Sequence, residues 1–507
     1  MNHSYKTTNR HLRDIKLFNS LTGLVEIVKP KTPGVIKFYA CGPTVYSYAH
    51  IGNFRSFLTA DLIVRIAKVS GYSVTFVSNI TDVGHLSVDD VADAGGQDKM
   101  VRALKGSDGN IFRNVWDLAR YYTSCMEEDW KSLNLSQPDV RPRATEHITE
   151  QLELIESLCR QGFAYETSMG VYFEISKFPQ YGALSGNILD QVREGTRDIV
   201  SDPEKRSVHD FALWKKDKAH LMRWHSPYGW GFPGWHIECS AMAMKYLGAS
   251  FDIHSGGEDN RFPHHECEIA QSEALTGMQY VSTWVHTAHL LVEGRRMAKS
   301  SGNFFTVREI LGRGIDPLAL RYALTCSHYR DNINFTEASL EAAIRVQERI
   351  RDCYNAVKKR LDNNLSVEST REPVKHNKFL DELLKTYDKC LTDLLDDLNT
   401  SSAYSHLIAG IRLINSNIKS ISQGELKKCL DWFDSMNELT GLVFSTYDIR
   451  YSESDSFDEA WVREQVEARN EARSQRDFKL ADKIRDTLLA SGVKLFDEPN
   501  GTEWRRI

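Results

Sequence analysis

The sequence predicts an α/β fold centred on an open parallel sheet, and three observations predict it. Strand-forming Val35–Ala40 leads through a loop to apolar residues at helical spacing (Phe57, Leu58, Leu62, Ile63, Ile66, Val69), a stop at Gly71 and a second strand over 73–80. A strand–loop–helix–strand unit of that length favours a parallel pair with a right-handed crossover. A buried-strand-like Phe251-Asp252-Ile253-His254, a helix opening over 262–271 and a strand over 282–291 follow later. From Pro317 to Phe444 the pattern is almost wholly helical, as in a bundle.

Taken in order, the loop 41–50 would lie at the carboxyl ends of the strands, where open sheets of this kind hold ligands. Residues 86–110 are polar and rich in Gly and Asp and read as a flexible excursion. Helical patterns over 111–133 and 146–161 and a strand over 170–175 look like an insertion between two halves of one sheet domain. Pro263 occupies a favoured first-turn position of its helix. Residues 452–458 read as a linker to a small unit with helices over 458–473 and 478–491 and a strand over 493–496. The expected organisation is a first catalytic half (1–85), an inserted subdomain (86–185), a second half (186–315), a helical bundle (316–451) and a small terminal unit (452–507).

Composition sets the class without choosing a function. With 507 residues, 41% hydrophobic and 26% charged, the chain reads as a soluble multidomain protein. No apolar run approaches a membrane span, and the polar start Met1-Asn2-His3-Ser4-Tyr5-Lys6 lacks a signal-peptide core, so a cytoplasmic location and no membrane partner are expected. Nine scattered cysteines suggest reduced thiols. A net charge of −6 neither implies nor excludes a nucleic-acid partner, since local patches decide that.

The chemistry concentrates in a few stretches. His50, just before a helix start, is either a cap or a donor to a phosphate oxygen, while Gly52 and the helix N-terminus would admit an aromatic base and an anion. His264 and Glu268 are four apart on one helix face, as an exposed pair or as two ligands of one ion. Cys41 and Cys239 are strong ligand types without nearby CxxC partners. Arg296-Met297-Ala298-Lys299-Ser300-Ser301-Gly302 is either a solvated turn or a loop whose lysine neutralises charge on transferring phosphates. No Gly-x-x-x-x-Gly-Lys-Ser/Thr loop is present, so any nucleotide is held by another device.

In matching order over nearly the whole chain, these segments resemble the class I aminoacyl-tRNA synthetases, in particular their cysteine-specific branch. His50-Ile51-Gly52-Asn53 and Arg296-Met297-Ala298-Lys299-Ser300 resemble the two class signatures. Cys41-Gly42-Pro43-Thr44, Gly234-Trp235-His236-Ile237-Glu238-Cys239 and Phe262-Pro263-His264-His265-Glu266 resemble the cysteine branch, as does the tail from Arg469 to Arg506. The resemblance implies a Rossmann-like catalytic domain that activates L-cysteine with ATP and transfers it to tRNA(Cys). It implies one Zn²⁺ per subunit on Cys41, Cys239, His264 and Glu268, and Mg²⁺ with ATP. It implies a cysteine pocket of Gly42, Thr81, Trp235 and His264, and an ATP site of His50, Gly52, Asn53, Gly256, Gly257, Asp259 and Lys299. His50 and Lys299 would be catalytic, the inserted subdomain would meet the acceptor end, and Arg473, Phe478, Asp482 and Asp497 would contact the anticodon.

Three departures from the family pattern stand out. Asn53 replaces the first signature's last histidine, and Arg296 and Ala298 replace a lysine and a serine. After Asn79-Ile80-Thr81-Asp82, Val83-Gly84-His85 replaces an acidic, lysine-containing continuation. Two alternatives share parts of the pattern: a cysteine-activating ligase with an amino-sugar acceptor, as in the mycothiol pathway, and a catalytically silent tRNA- or zinc-binding relative. The terminal unit argues against the first, and His50 with Lys299 against the second.

Overall fold

The structure, a computed structural model, describes residues 12–88, 95–106, 111–186, 202–297, 303–362, 378–444, 459–475, 477–490, 493–498 and 501–506. Two compact units emerge: residues 1–311 with 315–445, and residues 446–507 with 312–314.

The larger unit is built on a four-stranded, wholly parallel sheet in the order Val281–Thr287, Phe251–Gly257, Val35–Ala40, Ser73–Ser78. From its centre the chain runs outward twice, once through the helix Ile51–Val69 and once through the helix Glu266–Thr276. The two inner strands, Val35–Ala40 and Phe251–Gly257, are therefore neighbours whose connections leave in opposite directions. That is a topological switch point, where a crevice opens beyond the strand ends. The strands are buried along most of their length (Phe38, Tyr39, Phe251 and Ile253 are fully enclosed), as a sheet covered on both faces requires.

Between the two halves lies a five-stranded antiparallel sheet ordered Trp224–Ser226, Gly229–Pro233, Phe211–Lys216, Gly170–Phe173, Ala164–Glu166, together with the helices Val115–Ser132 and Ile148–Arg160. After the sheet domain come the helices Pro317–Thr325, Glu337–Asp362, Lys378–Leu395, Thr400–Asn417 and Gln423–Thr440.

Three local expectations change. The excursion after the second strand carries a short hairpin, Leu86–Val88 with Gly95–Asp98, and a helix, Lys99–Lys105. The strand expected over 282–291 is two strands, Val281–Thr287 and Leu290–Val292. It breaks because the buried Arg55 guanidinium takes the carbonyls of Ala288 (2.6 Å) and His289 (2.9 Å), as well as those of His328 and Asp331, out of the ladder. Pro263 sits in a turn, Arg261–His265, that feeds the helix at Glu266, because Phe262 has extended backbone angles.

The smaller unit packs the helices Glu459–Ser474 and Phe478–Ala490 around Val462, Val466 and Leu488, with the hairpin Val493–Glu498 and Gly501–Arg506. Arg469 Nη1 donates to Thr502 Oγ1 at 3.5 Å, tying helix to hairpin. The expected linker 452–458 lies outside the described residues.

Candidate active site and metal centre

Cys41 is the first residue beyond the inner strand Val35–Ala40, and Cys239 lies in the first turns of the helix Trp235–Leu247. His264 and Glu268 come from the turn and helix after the other inner strand. The Sγ atoms of Cys41 and Cys239, a ring nitrogen of His264 and a carboxylate oxygen of Glu268 all lie within 4.8 Å of one another, and all four residues are buried. Small side-chain rotations bring such atoms to the ~3.5 Å spacing a tetrahedral zinc requires.

The surroundings aim these atoms. His264 Nδ1 hydrogen-bonds His236 Nδ1 at 3.0 Å, which leaves Nε2, 3.2 Å from Glu268 Oε1, facing the cluster. Glu268 Oε2 is held by His254 Nε2 at 3.0 Å and the Tyr280 hydroxyl at 3.5 Å, whereas Oε1 is buried without a hydrogen-bond donor. Partners that fix the far side of each ligand are characteristic of metal centres. Burial pushes the Cys41 and Cys239 thiols up, raises the Glu268 carboxyl and holds the His264 imidazole neutral. Every anionic form here is disfavoured until a cation compensates it, so the donor set fits a divalent, thiophilic ion such as zinc.

A second set, Cys41, His254, His265 and Glu268, also has its ligand atoms within 4.8 Å. Here His265 Nε2 contacts Cys41 Sγ at 3.2 Å and its Nδ1 bonds His286 Nε2, which continues to Ser20. Cys41, Cys239 and His264 line the central cavity, of about 800 Å³, while His254 and His265 do not. An ion on the first set is therefore open to an incoming ligand, and His254 and His265 are its support.

The same cavity collects most of the remaining expected site residues. Gly42, Thr81, Trp235, His50, Gly52, Asn53, Gly257 and Asp259 line it. A Cβ on Gly42 would fall 1.7 Å from the Asn79 carbonyl oxygen, so only glycine allows this strand end to pass. Thr81 donates to Glu238 at 2.5 Å, accepts from Asn79 Nδ2, and so presents a fixed hydroxyl. Gly256 differs: it does not line the cavity, and its missing side chain makes room for the His265 ring, 2.7 Å from where a Cβ would sit. Glu268 lies beneath the surface formed by its three partners. Lys299 lies outside the described residues.

His50 caps the helix Ile51–Val69. Its Nδ1 accepts the Asn53 N–H at 3.2 Å, while Asn53 Oδ1 accepts the His50 N–H at 3.2 Å. With Nδ1 accepting, the neutral ring carries its hydrogen on Nε2, a donor. The Asn53 departure is thereby explained in part: the amide closes a capping box around the histidine. Sequence reasoning left His254, His265, Glu238 and Lys99 without roles. An imidazole inside the buried-strand-like stretch 251–254 is the signal that could have pointed to His254, since a buried ring needs a partner.

In the smaller unit Arg473, Phe478 and Asp482 are exposed, Phe478 by 62%, and Asp482 pairs with Arg485 at 3.3 Å. Asp497 stands opposite Thr502 in the hairpin register.

The crevice at the switch point of the sheet and the histidine-capped helix beside it belong to a class I aminoacyl-tRNA synthetase: residues 27–345 match the tRNA synthetases class I (C) catalytic domain. The chain is 47% identical to the cysteine--tRNA ligase of Salinibacter ruber, covering 97% of this chain and 98% of that one. It is 39% identical to that of Geobacillus thermodenitrificans (98% and 100%) and 38% identical to that of Thermococcus onnurineus (97% and 99%). The chain belongs to the cysteine--tRNA ligase family. Among solved structures, a methionyl-tRNA synthetase of Mycobacterium tuberculosis bound by methionyl-adenylate shares the fold at 14% identity (TM-score 0.54; 80% of this chain, 89% of that one). A LeuRS of Agrobacterium radiobacter in a ternary complex with tRNA and LeuAMS shares it at 10% (TM-score 0.57; 84% and 86%). No helix among the described residues is long and apolar enough to cross a membrane.

Proposed function

We propose that this chain is a cytoplasmic cysteine--tRNA ligase that forms cysteinyl-adenylate from L-cysteine and ATP and passes the cysteinyl group to tRNA(Cys). The observation that carries this reading is the convergence of Cys41, Cys239, His264 and Glu268 in the cavity that His50 also lines. These four residues would hold one Zn²⁺, which supplies a soft Lewis acid for the substrate thiolate and so separates sulfur from oxygen without editing.

The protein's own groups do the rest by position and charge. Gly42, Thr81 and Trp235 wall the amino acid. The cysteine carboxylate attacks the α-phosphorus of ATP, and pyrophosphate leaves. The Nε2–H of His50 donates to the phosphate oxygens as charge builds, with Lys299 as the cation and Mg²⁺ accompanying the triphosphate. Asn53, Gly257 and Asp259 border the nucleotide, and Gly256 serves indirectly through His265. A ribose hydroxyl of the tRNA end then takes the acyl group; no protein nucleophile is needed. The inserted subdomain, expected over 86–185 but sharing one sheet with strands that run on to Pro233, receives the acceptor end between the two catalytic halves. The small unit (452–507), beyond the bundle 316–451, receives the anticodon through Arg473, Phe478, Asp482 and Asp497, the exposed Phe478 ring being suited to stacking on a base.

The test is cysteine-dependent ATP–pyrophosphate exchange, then acylation with tRNA(Cys) and with an amino-sugar offered in parallel. Exchange with transfer to tRNA alone is expected. Exchange with transfer only to the amino-sugar would overturn the acceptor assignment, and absence of exchange would overturn the activity.

A further inference from the structure

We propose that Lys99 receives the α-carboxylate of the incoming amino acid and that His85 holds the lysine in place; this rests on reading the cavity as an amino-acid-activating site. Both residues line the cavity shared by Cys41, Cys239 and His264. Lys99 opens the helix Lys99–Lys105, whose N-cap, Asp98, accepts the Val101 N–H at 3.0 Å. The Lys99 ammonium donates to His85 Nε2 at 2.8 Å and lies 5.8 Å from the centre of the Tyr46 ring.

The tautomer follows from the chemistry. An ammonium has no lone pair, so His85 Nε2 accepts and the hydrogen of the neutral imidazole sits on Nδ1. Nδ1 is 2.7 Å from Thr44 Oγ1, so it donates to that hydroxyl and turns the threonine's own hydrogen away from the ring. Lys99, His85 and Thr44 form a line that presents a cation and a hydroxyl donor, the combination a carboxylate binds with charge-assisted hydrogen bonds.

His85 is also fixed sideways. Its ring stacks on Trp235 at 4.1 Å and 11°, and Trp235 stacks on His264 at 4.4 Å and 26°. The cationic group and the thiol-ligating group therefore face a small zwitterion from two directions, with the indole wall tied to both. The sequence departure acquires a reason. Where the family pattern continues after Asp82 with acidic residues and a lysine, this chain has Val83-Gly84-His85, and Lys99 returns the cation from the excursion.

Full-length protein is assayed by ATP–pyrophosphate exchange, with cysteamine, which keeps the thiol and amine but lacks the carboxylate, as competitive inhibitor. Lys99→Met is expected to raise KM for L-cysteine about ten- to hundredfold, the loss of one charge-assisted contact. KM for ATP and the inhibition constant of cysteamine should stay within about twofold. Lys99→Arg should restore most of the loss, and His85→Phe, which keeps a ring against Trp235 but no acceptor, should fall between. An unchanged cysteine KM in Lys99→Met overturns the proposal. So does a rise in the ATP KM instead, which would assign the cation to the phosphates, or an equal weakening of cysteamine, which would make the lysine merely structural. Absence of exchange in the wild-type protein would defeat the parent reading first.

Discussion

Single atoms decide the proposed selectivity, and Cys239 is the simplest to change. Cys239→Ser replaces a soft ligand by a hard one of similar shape, so metal analysis should show loss of bound zinc, and cysteine-dependent exchange should fall with it while ATP binding persists. Unchanged metal content would remove the residue from the site. Lys299→Ala should slow exchange by about two orders of magnitude, as for other groups that stabilise transferring charge; a near-normal rate would exclude it. The gathering of Cys41, Cys239, His264 and Glu268 was legible in the sequence because the resemblance named each. Their spacing alone favoured an exposed His264–Glu268 pair. His254 and His265 were not legible as support: His254 meets Glu268 only because the next helix folds back over its strand, and His265 meets Cys41 from 224 positions away. Gly256 was read as admitting a nucleotide, but the atom it admits is on His265.

Elements carry the second level of control. The helix Ile51–Val69 starts at a capping box in which Asn53 serves both the backbone and the His50 ring. Asn53→Ala should cost about 1 kcal/mol in denaturant unfolding, the net worth of one intramolecular hydrogen bond. The ring should keep its tautomer, because the N–H that Nδ1 accepts is backbone and survives in alanine; equal stability of the two proteins would refute the box. The helix and its flanking strands were visible as periodicity, since each is set by residues within a few positions. The break between Val281–Thr287 and Leu290–Val292 was not, because its cause, Arg55, is 233 positions from Ala288. The excursion 86–110 was read as flexible because Gly and Asp mask a pair of short strands, and the lysine that follows drew no attention.

Across the larger unit, one buried charge cluster joins the parts. Asp61, in the middle of the His50 helix, pairs with Arg65 at 2.7 Å and with the fully buried Arg321, and accepts the Ser136 N–H at 2.7 Å. Arg321 also donates to the carbonyls of Leu133, Asn134 and Thr440, so sheet domain, insertion and bundle share one guanidinium. Burial alone would raise the Asp61 carboxyl; Arg65, Arg321 and Ser136 outweigh it and hold the carboxyl well below the usual range. A depressed folded-state pKa stabilises the protein above the unfolded value near 4, and that contribution is lost as pH falls below it. Acid titration of unfolding should therefore show a steep loss below about pH 4. Arg321→Met, which strands the carboxylate, should destabilise by about 3–5 kcal/mol at neutral pH. A variant as stable as the parent would show that the cluster is ornamental. The sheet order was only half legible, since pairing within each half follows from local connections, while the contact between the halves depends on the whole chain.

That contact has a consequence for biogenesis. Cys41 is made early, but Cys239, His264 and Glu268 follow only after the long insertion, so during translation a lone thiol waits while some two hundred further residues are polymerised. If the four residues hold zinc as proposed, high-affinity chelation needs both halves of the sheet domain, and capture of the ion would report that they have closed on each other.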